Sequence, residues 1–351
     1  MLTANRVIPA AINAGLLTAD DVVKRTVEVC AIGMSHPVFR LSIDGRPMLI
    51  LKTFSARRGD TDGELACELA VATLADRIPA LAALLPMRLP WTGPEQVIAT
   101  AFRHGAVAGS FDGMSTGTSD SRLGWPELVR ALVPKLALMH LATQELQEPK
   151  LALSARIPWG LRLIDGDAST DIWANSPLAH LLSEFFRDSV TVSAVRRARG
   201  AWRVRCLIHG DLKHDNILVY PDGVDIIVTV IDWEMARWGD PAWDLAALFV
   251  RPLLVHAHSA NAWSEANIAA AAMLVVEYAR VARLSPQALC QRLVFYSGIW
   301  LIMTALQYVS TLVGTASKGE VMPILAAARA TLIDADQLTT RLIAKVEESM
   351  A

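Results

Sequence analysis

Residues 7 to 24 set apolar stretches against Asp20, Asp21 and Lys24, a pattern that predicts an amphipathic helix. The pattern then changes. From Thr26 to Phe54, β-branched and alternating apolar residues are broken by Gly33, Pro37 and the Asp44-Gly45 pair, which predicts a strand, a loop, a strand, a tight turn and a third strand. Helical spacing returns over residues 62 to 78 through Leu65, Leu69, Ala72 and Ile78, and stops before Pro79. A further apolar strand is expected at 96 to 101.

Residues 105 to 121 turn rich in Gly, Ser, Thr and Asp, the composition of a connection between two folded parts. The boundary between a first unit, 1–104, and a second, 105–351, is placed there. Beyond it a helix is expected over 123 to 142. A β-hairpin is expected from 217–220 and 224–231 around Pro221-Asp222-Gly223, and three long helical stretches over most of 262 to 349. The order implies a small strand-rich lobe followed by a larger, mainly helical one.

Composition narrows the class. With 351 residues, 53% of them hydrophobic, the chain can bury a sizeable core. A formal charge of −2 and 19% charged residues give no footprint for sequence-independent nucleic-acid binding, so nucleic acid is not an expected partner. Cys30, Cys67, Cys206 and Cys290 form no CxxC pair and read as buried thiols of a reducing compartment. The first thirty residues lack signal-peptide organisation, so a cytoplasmic location is expected. Residues 293 to 317 carry no charge and are long enough to cross a bilayer. The Ser, Thr, Gln and Gly within them favour a buried helix over a membrane span.

The chemistry concentrates in Leu207–Tyr220, LIHGDLKHDNILVY, where His209, Asp211, Lys213 and Asn216 occupy a short loop between apolar flanks. A hydroxyl attacking a phosphoryl group needs a carboxylate to orient it and take its proton, a role Asp211 fits. Asn216 offers an amide oxygen suited to Mg²⁺, and Lys213 a cation for a migrating phosphate. A lone HxD is commonplace in polar loops. Here it is followed by Ile231-Asp232-Trp233-Glu234 and then by Gly239-Asp240-Pro241-Ala242-Trp243-Asp244-Leu245-Ala246, in which Asp232 supplies a second metal-binding side chain. No GxxxxGK[ST], GxSxG, HExxH or GxGxxG occurs.

HGDLxxxNIL followed by IDWE and GDPAxDLA resembles the aminoglycoside phosphotransferase and choline kinase family. The resemblance implies an α+β, bilobal protein-kinase-like fold and an ATP- and Mg²⁺-dependent phosphotransferase, with GTP as an alternative donor. It assigns Asp211 as catalytic base, Asn216 and Asp232 to Mg²⁺, and His209 and Asp244 to bracing the loop. Lys213 replaces the His often found in small-molecule members and matches the DLKxxN form of protein serine/threonine kinases.

In the small lobe the same resemblance selects Lys52, at the end of Met48-Leu49-Ile50-Leu51, as the nucleotide lysine. Glu68 is its best acidic partner and Glu64, one turn earlier, the rival. Ser35 or a nearby amide is expected at a phosphate, with His36 a turn residue. Ala99 and Ala101 are expected to present backbone to adenine. His140 reads as a structural histidine, and the VHAH pair His256 and His258 lacks a third ligand.

The acceptor expected is a small hydroxylated molecule rather than a polycation, because residues 150–200 hold five acids against seven bases, and residues 245–351 seven against eight. A peptide Ser/Thr kinase is the alternative suggested by Lys213, although only eleven residues separate Asp232 from Asp244, too few for an activation segment. A nucleotide-binding pseudoenzyme is the other alternative. It is disfavoured by the presence of Lys52, Asp211, Asn216 and Asp232 together.

Overall fold

The computed structural model describes residues 2–32, 37–54, 61–93, 96–103, 105–108, 124–144, 146, 153–164, 179–222, 225–257, 262–311 and 318–351. The amphipathic stretch expected over 7–24 is two helices, α1 (Ala4–Asn13) and α2 (Ala19–Lys24). The break has two local causes. Gly15 takes a left-handed φ of 73°, and Thr18 caps α2 reciprocally, accepting from Asp21 N at 3.1 Å while its own N–H donates to Asp21 Oδ2 at 3.0 Å.

Strands β1 (Val27–Ala31), β2 (Val38–Ile43) and β3 (Arg46–Thr53) follow, with Asp44 and Gly45 both at positive φ in the β2–β3 turn. Helix α3 (Thr61–Ala75) ends earlier than its periodicity predicts. Ile78 instead precedes a short helix, α4 (Pro79–Ala82). Strands β4 (Arg88–Leu89) and β5 (Val97–Ala101) complete a five-stranded antiparallel sheet of order β1-β2-β3-β5-β4. Lys52 therefore sits on the central strand, opposite Val38 and Ile98. Of the four cysteines Cys30 is exposed, contrary to the expectation of four buried thiols, because it lies on the edge strand β1.

Two cores form. Val7, Ala10 and Ala11 of α1 pack with Leu41, Leu49, Leu51 and Val97 of the sheet. By contrast, Val71 and Leu74 of α3 are buried in the larger core, with the helices of the second half. Burying such a side chain contributes about 1.5–3 kcal/mol, so α3 is anchored to the large lobe rather than carried by the sheet.

The short strand β6 (Ala106–Val107) pairs with a strand more than a hundred positions later, through Ala106 opposite Val219. Most of the connection expected over 105–121 lies outside the described residues. Then come α5 (Trp125–Thr143), α6 (Ala179–Arg187) and α7 (Ser189–Gly200). Strand β7 (Cys206–Ile208), the hairpin β8 (Ile217–Asp222) and β9 (Asp225–Val230), and β10 (Arg237–Gly239), which pairs with β7, frame the sequence motifs.

Five helices close the chain: α8 (Pro241–Ala257), α9 (Glu265–Ala282), α10 (Pro286–Thr311), α11 (Lys318–Ile333) and α12 (Ala335–Met350). The three stretches expected after 262 are thus four helices, the last two parted at Asp334. Residues 286–308 of α10 are long and apolar enough to cross a membrane, yet 83% of the most apolar window is buried within the fold. Trp243 and Trp300 meet with ring centroids 5.2 Å apart, and Trp243 and Tyr296 at 5.6 Å, at the centre of this packing.

Gly298 lets α10 and α11 approach. A Cβ there would lie 2.7 Å from Leu332 Cγ, and Leu332 is fully buried with nowhere to move. Gly298→Val is expected to lower the free energy of unfolding by about 1–3 kcal/mol, read as a reduced urea midpoint; an unchanged midpoint would contradict this packing.

Candidate active site

Strand β7 delivers the chain into the loop at His209, and Gly210 makes the turn. Its φ is 84°, and a Cβ would fall 2.4 Å from the Met235 carbonyl oxygen, so both conformation and space demand glycine. Asp244, fully buried in the first turn of α8, accepts the His209 N–H at 2.8 Å and the Gly210 N–H at 2.9 Å. Trp243 Nε1 donates to the Gly210 carbonyl at 3.1 Å. His140 lies between Asp244, 3.3 Å from Nε2, and the Tyr278 hydroxyl, 3.0 Å from Nδ1, the structural place its sequence context predicts.

His209 bridges the two motifs. Its Nε2 is 2.9 Å from the Ile231 carbonyl and its Nδ1 accepts the Asp211 N–H at 3.2 Å, so the ring is protonated on Nε2. Its edge rests on Trp233, with ring centroids 4.7 Å apart. The Ile231 N–H donates to the Asn216 carbonyl at 2.9 Å, which sets Asn216 beside the turn carrying Asp232.

Asp211 Oδ2 receives Lys213 Nζ at 2.9 Å and Asn216 Nδ2 at 3.0 Å. Both donors are on one oxygen, and Oδ1 has no hydrogen-bond partner among the described residues. Burial disfavours the Lys213 charge, but Asp211 outweighs it and the lysine pKa is raised. With its amide nitrogen committed to Asp211, Asn216 has its Oδ1 to offer to a cation.

Asp232 has a left-handed backbone, φ 67° and ψ 55°. It touches Lys52, which also reaches Glu68 Oε1 at 2.9 Å and Glu234 Oε2 at 2.7 Å. Glu68, not the rival Glu64, is therefore the α3 partner. Helix α3 is docked here by its neighbour as well, because Cys67 Sγ lies 3.0 Å from the Ala236 carbonyl and 3.4 Å from that of Trp233.

Burial alone would discharge Lys52, yet Glu68, Asp232 and Glu234 raise its pKa above the ordinary lysine value. The converse cost falls on the carboxylates. Burial raises the pKa of Glu68, and burial with the nearby Asp232 raises Glu234 to about 7. One ammonium facing three carboxylates leaves a corner with excess negative charge and hard oxygen donors. Among the described residues no group of three His, Cys, Asp or Glu side chains could enclose a metal. Two protein oxygens, from Asn216 and Asp232, suit a Mg²⁺ ion that completes its shell with phosphate and water.

The sequence pattern of the phosphotransferase enzyme family (APH) matches residues 26–284. The chain belongs to this family. As a member it is a phosphotransferase with a hydroxyl acceptor. The fold agrees: an ethanolamine kinase of Plasmodium vivax superposes with a TM-score of 0.57 at 13% identity, covering 92% of this chain and 86% of that one. An amicoumacin kinase in complex with AMP-PNP, Ca²⁺ and Ami superposes at 0.54 and 14% identity, covering 91% and 94%. A curated relative, acyl-CoA dehydrogenase family member 11 of Rattus norvegicus, is 38% identical over 61 residues, which is 17% of this chain and 8% of that protein. The match therefore spans only a small part of the relative's length.

The remaining site expectations for this phosphotransferase concern Ser35, His36, Ala99 and Ala101. Ser35 and His36 lie outside the described residues. Ala99 is buried between Leu51 and Leu89 in the sheet, and the Ala101 N–H is committed to the Met87 carbonyl at 2.9 Å, which removes that amide from the expected contacts with adenine. The next amide, of Phe102, is committed to Met48, which moves the expectation past the strand end. Glu234 was visible in IDWE but carries no role from spacing alone; its alternation with Asp232 across a tight turn is the signal that both can face one cation.

His214, in the same loop, is buried 6.2 Å from the Trp125 ring. Burial, with the charge of Arg251, lowers its pKa to about 3 from the ordinary 6.5. The unfolded chain binds this proton below pH 6.5 and the folded chain does not until about pH 3, so stability is present above that window and falls as pH drops through it. The slope is at most about 1.4 kcal/mol per pH unit. His214→Gln is expected to flatten it, seen by comparing urea midpoints at about pH 7.5 and about pH 5. Equal slopes in variant and parent would show that His214 is not the group responsible.

Proposed function

We propose that the phosphotransferase moves the γ-phosphoryl group of ATP, with Mg²⁺, to the hydroxyl of a small molecule. The observation that carries this reading is the continuous chain of contacts from Lys52 on the central strand, through Asp232, to the loop holding Asp211, Lys213 and Asn216. Two structural units so joined bring a phosphate-binding cation, metal-binding oxygens and a carboxylate base together, as phosphoryl transfer requires.

Each group has a role. Lys52, aligned by Glu68, holds the α- and β-phosphates, and Asn216 with Asp232 holds Mg²⁺. Asp211 is fixed through Oδ2 and accepts the hydroxyl proton on Oδ1. Lys213, already paired to Asp211, balances negative charge on the transferring group. When bound, Mg²⁺ supplies the positive charge that the carboxylate-rich corner lacks. The AMP-PNP and Ca²⁺ bound to the amicoumacin kinase support an adenine nucleotide and a divalent cation in this reading.

A small acceptor is favoured over a peptide by the turn after Asp232. Residues 233–235 form a single helical turn, Arg237–Gly239 a short strand, and α8 begins at Pro241, leaving no platform for an extended peptide. Asp211→Asn is expected to reduce phosphate transfer by about 10²–10⁴-fold while nucleotide binding persists. The check is ADP release over a metabolite panel beside calorimetric titration with ATP; undiminished turnover would remove Asp211 from the base role.

A further inference from the structure

The peptide unit between Gly210 and Asp211 is gripped at both edges. Its carbonyl, on Gly210, accepts the Trp243 indole N–H at 3.1 Å, and its N–H, on Asp211, donates to His209 Nδ1 at 3.2 Å. A planar trans peptide points these two groups in opposite directions, so the pair of bonds fixes the rotation of the plane. That rotation sets where the Asp211 Cα carries its carboxylate. The Gly210 side is closed by the Met235 carbonyl oxygen, 2.4 Å from where a Cβ would stand.

The other ties of the loop act elsewhere. Asp244 accepts the His209 and Gly210 amides, which lie before this peptide. The Asp211 carbonyl, which lies after it, receives the Lys213 N–H and Asn216 Nδ2, each at 2.8 Å and both from the loop itself. Among the described residues, Trp243 is therefore the contact by which the large core holds the peptide leading into Asp211. Its indole is fully buried against the rings of Trp202, Tyr296 and Trp300, with centroids 5.9, 5.6 and 5.2 Å away. Trp202 and Trp300 are buried as well, yet their indole N–H groups have no hydrogen-bond partner among the described residues. Three tryptophans share one cluster, and the one indole N–H that finds a partner finds it on the catalytic loop.

We propose that Trp243 is a positioning residue for phosphate transfer: its indole N–H, through the Gly210 carbonyl, aims the Asp211 carboxylate at the acceptor hydroxyl. This rests on the kinase reading above and deepens it, because it adds to the base the group that orients it. Misplacing a base slows the chemical step and leaves nucleotide affinity in place.

The test compares Trp243→Phe, which keeps a buried ring but deletes the N–H, with Trp202→Phe and Trp300→Phe, which delete N–H groups that have no partner. ADP release from ATP and Mg²⁺ is followed with the full chain, using water as the acceptor and then each alcohol of the metabolite panel that the parent turns over. Trp243→Phe is expected to lower kcat at least about tenfold with KM for ATP within about twofold, while the two comparison variants keep kcat within about twofold. Added to Asp211→Asn, Trp243→Phe should bring no further loss, because the group it aims is gone. Hydrogen exchange gives a readout without turnover: residues 207–213 should exchange at least about tenfold faster in Trp243→Phe, with α10 at the parent rate. If a melting curve shows that Trp243→Phe does not fold, the tryptophan isostere with sulfur in place of the ring N–H is used instead. An unchanged kcat, equal losses in all three variants, a full further loss in the Asp211→Asn background, or unchanged exchange over 207–213 overturns the inference. Faster exchange there in a parent protein that releases no ADP with any acceptor supports the positioning contact and counts instead against phosphate transfer.

Discussion

The ammonium of Lys52 is the joint on which the site depends. It links β3 of the sheet, α3 through Glu68 and the turn after β9 through Asp232 and Glu234. A unit charge pair 4 Å apart is worth about 4 kcal/mol at an effective dielectric near 20, before desolvation is counted. Three carboxylates around one buried cation cannot all be satisfied by it, so burial, with Asp232 alongside, lifts the pKa of Glu234 to about 7 while the carboxylates raise that of Lys52. The arrangement holds the two units in register in a state whose residual negative charge a nucleotide-bound divalent cation is suited to offset.

The loop beneath that joint owes its shape to a second buried carboxylate with a different task. Asp244 spends its oxygens on the His209 and Gly210 amides and on His140, and it is itself part of α8, a helix largely buried in the large core. Asp211 and Asn216 are therefore positioned by a rigid element rather than by the loop's own preferences. Such preorganisation is what electrostatic catalysis requires, because no reorientation is then needed as charge develops. α3 belongs to the same core through Val71 and Leu74, so Glu68 is fixed relative to Asp232 rather than relative to the strand that carries Lys52.

What was legible in the sequence was the chemistry confined to short spans. His209, Asp211, Asn216 and Asp232 stand at spacings that one loop and one hairpin dictate, so the motif and the hairpin read together. Lys52 and Glu68 depended on strand and helix periodicity and were legible only as a best pair with a rival. Ala99 and Ala101 rest on position alone, because backbone hydrogen bonding leaves no side-chain mark, and the pairing of β5 with β4, two residues long, is below any periodic signal. The α1–α2 break turned on one glycine in a left-handed conformation and one capping threonine, local events inside an otherwise helical hydrophobic pattern.

The two ends of the site carry different balances of charge. Lys52 faces three carboxylates, whereas Asp211 meets one ammonium and one amide on a single oxygen. Negative charge is in excess at the corner and compensated at the loop, so on the proposed reading a cation is drawn to the corner without displacing Lys213 from the base.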